Sequence, residues 1–103
     1  KDQRIRSKDN FFHSIVWMGS KDVTAQMHFD ESLNFFAQLV GEKTFYVYPP
    51  TYWRFAYNYP ELSKHRRQSQ IDMHLDATRL RSKFPRFNAS LGIPIQLKPG
   101  SML

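Results

Sequence analysis

The stretch from Asn34 to Tyr48 limits the fold more than any other part of the chain. Apolar side chains lie on both faces of an extended segment at residues 34–40, which is typical of a strand buried on both sides. Gly41 and Glu42 give a turn signal, and residues 43–48 form a second β-rich run that Pro49 and Pro50 end. The pattern predicts a β-hairpin with its turn at Gly41.

The rest of the chain adds short strands and little helix. Strands are predicted at residues 11–18 and 93–97, one or two helical turns over 51–57 with Thr51 as N-cap, and a helical turn over 77–82 with Asp76 as N-cap. Residues 63–70 are interpreted as a loop and residues 98–101 as a turn. Such strands favour a mostly β, antiparallel double-sheet or jelly-roll architecture.

The length sets the domain count. A chain of 103 residues holds one domain at most and buries a modest core. We therefore expect a single, partial domain over residues 1–103, with residues 1–10 as a frayed terminal segment.

His28 and Asp30 form the most chemically informative pair. On an extended segment, a spacing of two points both side chains to one face, where a ring nitrogen and a carboxylate oxygen can share a divalent ion. This makes two thirds of a 2-His-1-carboxylate site, which binds Fe(II) and leaves positions open for co-substrate and O₂. Taken alone, the pair has a commoner interpretation as a hydrogen-bonded loop pair.

Lys43 begins the second strand of the predicted hairpin, with Phe45 and Val47 on its own side. A lysine among aromatic residues usually extends its ammonium group to water. A buried lysine instead needs a charged partner, and an acidic ligand is the natural one. The metal pair and an inward Lys43 together fit a dicarboxylate bound beside a metal.

The net charge of +6 is unevenly distributed. Residues 1–50 hold six basic and six acidic side chains, whereas residues 51–103 hold nine basic and three acidic ones. Charge runs are usually solvated faces, and the alternative is attraction of nucleic acid or an acidic protein segment. The aromatic side chains of residues 51–57 either stack on bases or pack inward, and the sequence favours inward packing.

The cysteine count and the hydropathy restrict the compartment. The chain has no Cys, which excludes disulfides and thiolate metal sites, and no apolar run reaches membrane-spanning length. We expect an intracellular protein of the cytoplasm or nucleus, without a membrane partner.

Several motifs, in order and spacing over nearly the whole chain, resemble one family. It is the JmjC or cupin-like 2-oxoglutarate- and Fe(II)-dependent dioxygenases, and among these the text at 34–38 and 67–70 is most similar to the asparaginyl hydroxylase that acts on hypoxia-inducible factor. The resemblance implies an incomplete double-stranded β-helix. The matching text comprises residues 17–19, 28–30, Asn34, 41–43, 48–50, 69–72, 84–87 and 97–100.

The resemblance also implies residue roles. His28 and Asp30 would ligate Fe(II), and Asn34 would lie beside the metal and 2-oxoglutarate. Lys43 would form a salt bridge with the far carboxylate of 2-oxoglutarate. Arg67 and Gln68 would contact a protein substrate, such as an Asn-containing segment.

Two departures from the family pattern stand out. Ala25 replaces a threonine that assists the co-substrate carboxylate, and on a strand the neighbouring Thr24 points the other way. The family's second metal histidine follows the Pro-Gly turn by several residues, whereas this sequence ends at Leu103. The remaining histidines do not obviously replace that ligand: His13, His65 and His74.

We therefore expect a fragment or a truncated form of a protein hydroxylase, inactive as this chain and with no catalytic side chain of its own assigned. One alternative is an inactive cupin remnant that binds nucleic acid or an acidic peptide through its basic half. The other is an N-methyl-lysine demethylase, which uses the same iron centre.

Overall fold

A computed structural model describes residues 14–103 of the chain. It contains strand β1 (Lys43–Val47), a 3-10 helix (Pro50–Phe55), helix α1 (Ala77–Lys83), a short 3-10 turn (Ala89–Leu91) and strand β2 (Ile93–Leu97). The predicted strand at 11–18 lies partly outside these residues, and its part from 14 to 18 is not a strand. The expectation for residues 1–10 lies wholly outside them.

Strand β1 forms at the predicted place but with a different partner. It pairs antiparallel with β2, with Lys43 opposite Leu97 and Val47 opposite Ile93. The predicted hairpin between residues 34–40 and 43–48 is therefore wrong. Gly41 does turn the chain, with a φ of 72° in the left-handed region that glycine adopts without strain. The chain bends at Gly41, but long-range pairing decides which strand lies beside β1.

Residues 36–38 pair with the C-terminal end of the described chain. Phe36 and Leu103 exchange two backbone hydrogen bonds of 2.9 Å, and the Gln38 N–H donates to the Ser101 carbonyl at 2.9 Å. Phe35 is 86% exposed and Leu39 is 74% exposed, so the prediction that this segment is buried on both faces is wrong for these residues. Only the even-numbered face, with Phe36 and Gln38, is half-buried.

A second antiparallel arrangement, the ribbon formed by residues 26–29, 57–59 and 67–70, lies outside β1 and β2. Residues 67–70 occupy its middle. On one side the Ser69 N–H donates to the Met27 carbonyl at 2.8 Å, and on the other the Gln70 N–H donates to the Tyr57 carbonyl at 2.9 Å. Residues 63–70, which were predicted to be a loop, thus form turns at the start of the segment and paired backbone at its end.

The core packs against this ribbon. Its buried members are Tyr52, Ile71, Phe84 and Phe87, and Ile71 is completely buried. Ser69 is 1% exposed, and its hydroxyl donates to the Ala56 carbonyl at 2.5 Å while accepting from the Ile71 N–H at 3.0 Å. A buried hydroxyl with both roles filled carries little desolvation penalty.

The predicted inward packing of the 51–57 aromatics holds only in part. Tyr52 is buried at 8% exposure, whereas Trp53 is 61% exposed and Phe55 is 37% exposed. A 3-10 helix brings residues three apart onto one face, so Tyr52 faces the core while Trp53, one position on, faces outward.

The helix and turn signals are largely confirmed. The Asp76 carboxylate accepts from the N–H groups of Thr78 and Arg79, as an N-cap does, and α1 ends before Phe84-Pro85. The first 3-10 helix starts after Pro49 and not at a Thr51 cap. Gly100, at φ 88°, occupies the third position of the predicted 98–101 turn, which the Ser101 N–H closes onto the Lys98 carbonyl at 2.8 Å.

No helix of the described residues 14–103 is long and apolar enough to cross a membrane.

The completely buried Ile71 gives a test of the core. Ile71→Ala should lower the free energy of unfolding by about 2–5 kcal/mol, because it leaves a cavity next to Tyr52 and Phe84. Urea unfolding followed by tryptophan fluorescence measures the change. Leu91→Ala, at a side chain 49% exposed, is the matched control and should change the stability by well under half as much. Equal losses of stability in the two variants would show that Ile71 is not part of the core.

Candidate metal and substrate site

His28 lies in the ribbon directly opposite Gln68. The Phe29 N–H donates to the Arg67 carbonyl at 3.0 Å, and the Ser69 N–H donates to the Met27 carbonyl at 2.8 Å. His28 and Gln68 are therefore a non-hydrogen-bonded antiparallel pair, in which the two side chains project from the same face and the Cα atoms lie about 4.5 Å apart. The structure brings together the predicted metal ligand and one predicted substrate residue, which are distant in sequence.

The His28 ring is oriented by the backbone. Its Nδ1 lies 2.7 Å from the Gln26 carbonyl oxygen. Because a carbonyl oxygen only accepts, Nδ1 donates this bond, and in the neutral imidazole Nε2 then presents the lone pair. Donation of the other ring N–H to a carbonyl is the usual arrangement of a metal-binding histidine, since it fixes both tautomer and ring orientation.

Asp30 is held by Asn34. The Asn34 amide donates to Asp30 Oδ2 at 2.8 Å. That bond restrains the carboxylate and leaves Oδ1 open to another partner. Both residues are exposed, as an accessible metal ligand and its supporting side chain must be before a ligand arrives.

Gln26 joins the two sides of the ribbon and was not singled out by the sequence. Its side-chain amide donates to the carbonyls of Ser69 at 2.8 Å and Ile71 at 2.5 Å. The backbone carbonyl of Gln26 accepts the hydrogen bond from the His28 ring. One residue therefore fixes the His28 ring to the strand that carries Gln68. No sequence signal pointed to it, because a lone glutamine on a strand carries no motif.

Arg66 restrains the loop that follows Asp30. It contacts Glu31 at 2.8 Å and Glu61 at 3.8 Å, with side chains that are all more than 40% exposed. Exposed ion pairs contribute little to stability, so these two contacts act mainly on the position of the loop. Opposite charges in the two segments were the only available signal for it.

Arg67 lies at the end of the turn at 64–67, and Gln68 begins the paired backbone that follows it. Gln68 accepts at Oε1 from a neighbour, since His65 Nδ1 lies 3.2 Å away, and the His65 ring packs 5.7 Å from that of Tyr59. An open depression of about 360 Å³ lies along the same strand and is rich in amide groups. Its lining consists of Gln26, Tyr59, Gln68, Ser69, Gln70 and Asp72.

Lys43 lies in the other sheet, at the first position of β1. Its ammonium is 4.7 Å from the centre of the Phe36 ring and 4.9 Å from that of Phe45. The two rings pack edge to face at 5.0 Å. Within residues 14–103, Lys43 forms no ion pair with a carboxylate. The aromatic faces hold the charge by cation–π attraction and leave its hydrogen-bond donors free for an anion.

The donor set fits a divalent metal in part. His28 and Asp30 offer one nitrogen and one oxygen, and their supporting bonds are those that a bound metal requires. In the part of the chain that the structure describes, no group of three or more His, Cys, Asp or Glu side chains comes together to hold an ion. His65 and His74 therefore do not complete the site here.

Comparison with known proteins identifies the family of the chain. A family model described as a cupin-like domain matches residues 2–103. The chain therefore belongs to the cupin-like domain family, of JmjC type, which includes 2-oxoglutarate- and Fe(II)-dependent oxygenases. No solved structure matches the chain.

The bonds of Gln26 give a test of the site. Gln26→Leu should weaken Mn(II) binding by roughly 10- to 100-fold, because the segment that orients His28 loses its anchor on the opposite strand. Electron paramagnetic resonance of free Mn(II) measures the affinity. Gln70→Leu, which removes a 3.2 Å bond on the other side of the same strand, is the control and should leave the affinity unchanged. Equal affinity in both variants would show that Gln26 does not position the ligand.

Proposed function

We propose that this protein is, or is part of, a 2-oxoglutarate- and Fe(II)-dependent protein hydroxylase of the asparaginyl-hydroxylase type. The observation that carries the proposal is the pairing of His28 with Gln68. A hydroxylase must place the substrate carbon next to the metal, and this pairing puts the candidate metal ligand on the same ribbon face as a candidate substrate residue.

His28 and Asp30 hold the iron in this proposal. His28 offers Nε2 because its Nδ1 proton is donated to Gln26, and Asp30 offers the oxygen that Asn34 leaves free. When bound, the iron supplies the oxidative chemistry of the reaction. Overall, one atom of O₂ enters the substrate C–H bond as a hydroxyl group and the other enters succinate, as 2-oxoglutarate loses CO₂.

Lys43 neutralises the far carboxylate of 2-oxoglutarate. The Phe36 and Phe45 rings fix the ammonium from two sides, which reduces the conformational entropy lost when the anion binds. The two rings replace part of the water around the Lys43 ammonium before 2-oxoglutarate binds. Ala25 stands where the family has a threonine, so Lys43 carries more of the co-substrate recognition here.

Arg67 and Gln68 contact the protein substrate. Gln68 projects beside His28, and the amide-rich depression along its strand offers hydrogen-bond groups to an extended peptide backbone. An Asn-containing segment suits such a surface, since its amide both donates and accepts.

The architecture proposed with this function is a jelly roll. The pairing of β1 with β2, and that of residues 67–70 with segments on both sides, are antiparallel contacts between distant parts of the chain. Long-range antiparallel pairing of this kind is what a double-stranded β-helix requires.

The test of the proposed function is oxygen transfer to a peptide. The complete protein, supplied with Fe(II), 2-oxoglutarate and Asn-containing peptides, should add one oxygen atom to a peptide and release an equal amount of succinate, as mass spectrometry measures. Removal of methyl groups from an N-methyl-lysine peptide would instead identify a demethylase. Absence of succinate with every peptide would favour the inactive binding module.

Lys43→Ala should raise the 2-oxoglutarate concentration needed for half-maximal succinate release by two orders of magnitude or more. Lys43 is half-buried, and loss of one partner of a fully buried charge pair costs about 3–5 kcal/mol, so the lower end of that range applies. Lys43→Arg should restore only part of the affinity, because the planar guanidinium does not occupy the same point. Lys98→Ala removes the same charge from the turn after β2 and is the control. An unchanged requirement in Lys43→Ala would refute the role.

Arg67→Ala should reduce coupled peptide hydroxylation while leaving the 2-oxoglutarate requirement unchanged, because Arg67 acts on the peptide and not on the co-substrate. The ratio of hydroxylated peptide to succinate measures the coupling. Lys64→Ala, three positions earlier in the same basic run, is the matched control. An equal loss of coupling in both variants would show that Arg67 acts only through its positive charge and not through a specific contact.

A further inference from the structure

The 3-10 helix exposes an aromatic and cationic surface that the proposed hydroxylase does not use. Trp53 is 61% exposed and Phe55 is 37% exposed. The Arg54 guanidinium lies 5.6 Å from the Trp53 ring centre, and the Arg86 guanidinium lies 5.0 Å from the Phe55 ring centre. We call these four residues the stacking surface.

The stacking surface rests on the buried core. The Phe55 ring packs 5.4 Å from that of buried Tyr52, and the Arg86 N–H donates to the Tyr57 hydroxyl at 3.1 Å. The Tyr57 ring in turn packs edge to face on Phe84 at 5.1 Å. The 3-10 helix and the turn at 85–86 are therefore held together, so the Arg54–Trp53 pair and the Arg86–Phe55 pair lie on neighbouring, supported segments.

Negative charge is absent from the two segments that form the surface. No Asp or Glu occurs in residues 43–60 or 77–103, whereas these segments contain seven Lys and Arg residues. Within the described part of the chain, neither Arg54 nor Arg86 lies within 4.0 Å of a carboxylate. The positive potential of the patch is therefore not cancelled by a local partner.

We propose that the stacking surface binds single-stranded nucleic acid. Exposed rings beside guanidinium groups match a strand in which bases stack on the rings and phosphates contact the arginines. An acidic peptide would use the two arginines but gives no reason for an exposed tryptophan beside Arg54. The proposal is independent of the metal site, which lies in the ribbon at His28.

The experiment is fluorescence anisotropy with a labelled single strand of about ten nucleotides, at salt concentrations from about 50 to 200 mM and with EDTA present. Arg54→Gln with Arg86→Gln should reduce the slope of log affinity against log salt by about 1.4, since each lost phosphate contact removes about 0.7. Trp53→Leu should weaken binding by roughly 5- to 100-fold with little change in that slope.

The control is Lys21→Gln with Lys64→Gln, which removes the same charge from two exposed turns outside residues 43–60 and 77–103 and should leave the slope unchanged. Thermal unfolding of each variant confirms that the exposed positions tolerate the change. An equal slope change in the control pair would overturn the proposal. So would a poly-glutamate peptide or a duplex of the same length that binds as tightly as the single strand, or binding that Trp53→Leu does not alter.

Discussion

The backbone of residues 67–70 is bonded to the chain on both sides, and the candidate site depends on that double pairing. One side holds the His28 segment and the other holds residues 57–59. Ser69 sits between them with its hydroxyl bonds filled, so a polar side chain is completely buried at the point where the ribbon meets the core. Shifting this strand by one residue would exchange Gln68 and Ser69 between the exposed and buried faces.

The two halves of the proposed active site use different physical devices. Around His28 and Asp30, directional hydrogen bonds fix where the ligand atoms point: the His28 ring donates to the Gln26 carbonyl, and the Asn34 amide donates to Asp30. Around Lys43, two aromatic faces hold a charge without consuming its donors. A metal ligand needs a fixed lone pair, whereas a lysine that binds an anion needs free N–H groups, so each device suits its task.

Local signals were the predictable part of the fold. The Asp76 cap, the Pro-Gly turn at 98–101 and the strand at 93–97 are encoded within a few residues, and all three are found. The partner of β1 was not predictable, because alternation shows which face is apolar and not which strand lies alongside. For the same reason His28 was recognised as a candidate ligand, but its position opposite Gln68 and its bond to Gln26 needed the tertiary structure. The exposure of Trp53 was missed because the tighter period of a 3-10 helix rotates it away from the core.

The pairings that define this molecule have a kinetic consequence. The Gln26 amide donates to the carbonyls of Ser69 and Ile71, which lie 43 and 45 positions further along the chain. Strand β1 likewise pairs with a strand that begins only at Ile93. Contacts of such sequence separation form only after long loops close, and the entropy of closure is lost before the contacts compensate it. The short hairpin predicted at residues 34–48 does not form, so β1 gains no local partner. Folding should therefore be slow for a chain of this size, and His28 should reach its place opposite Gln68 only when the long loop between them closes.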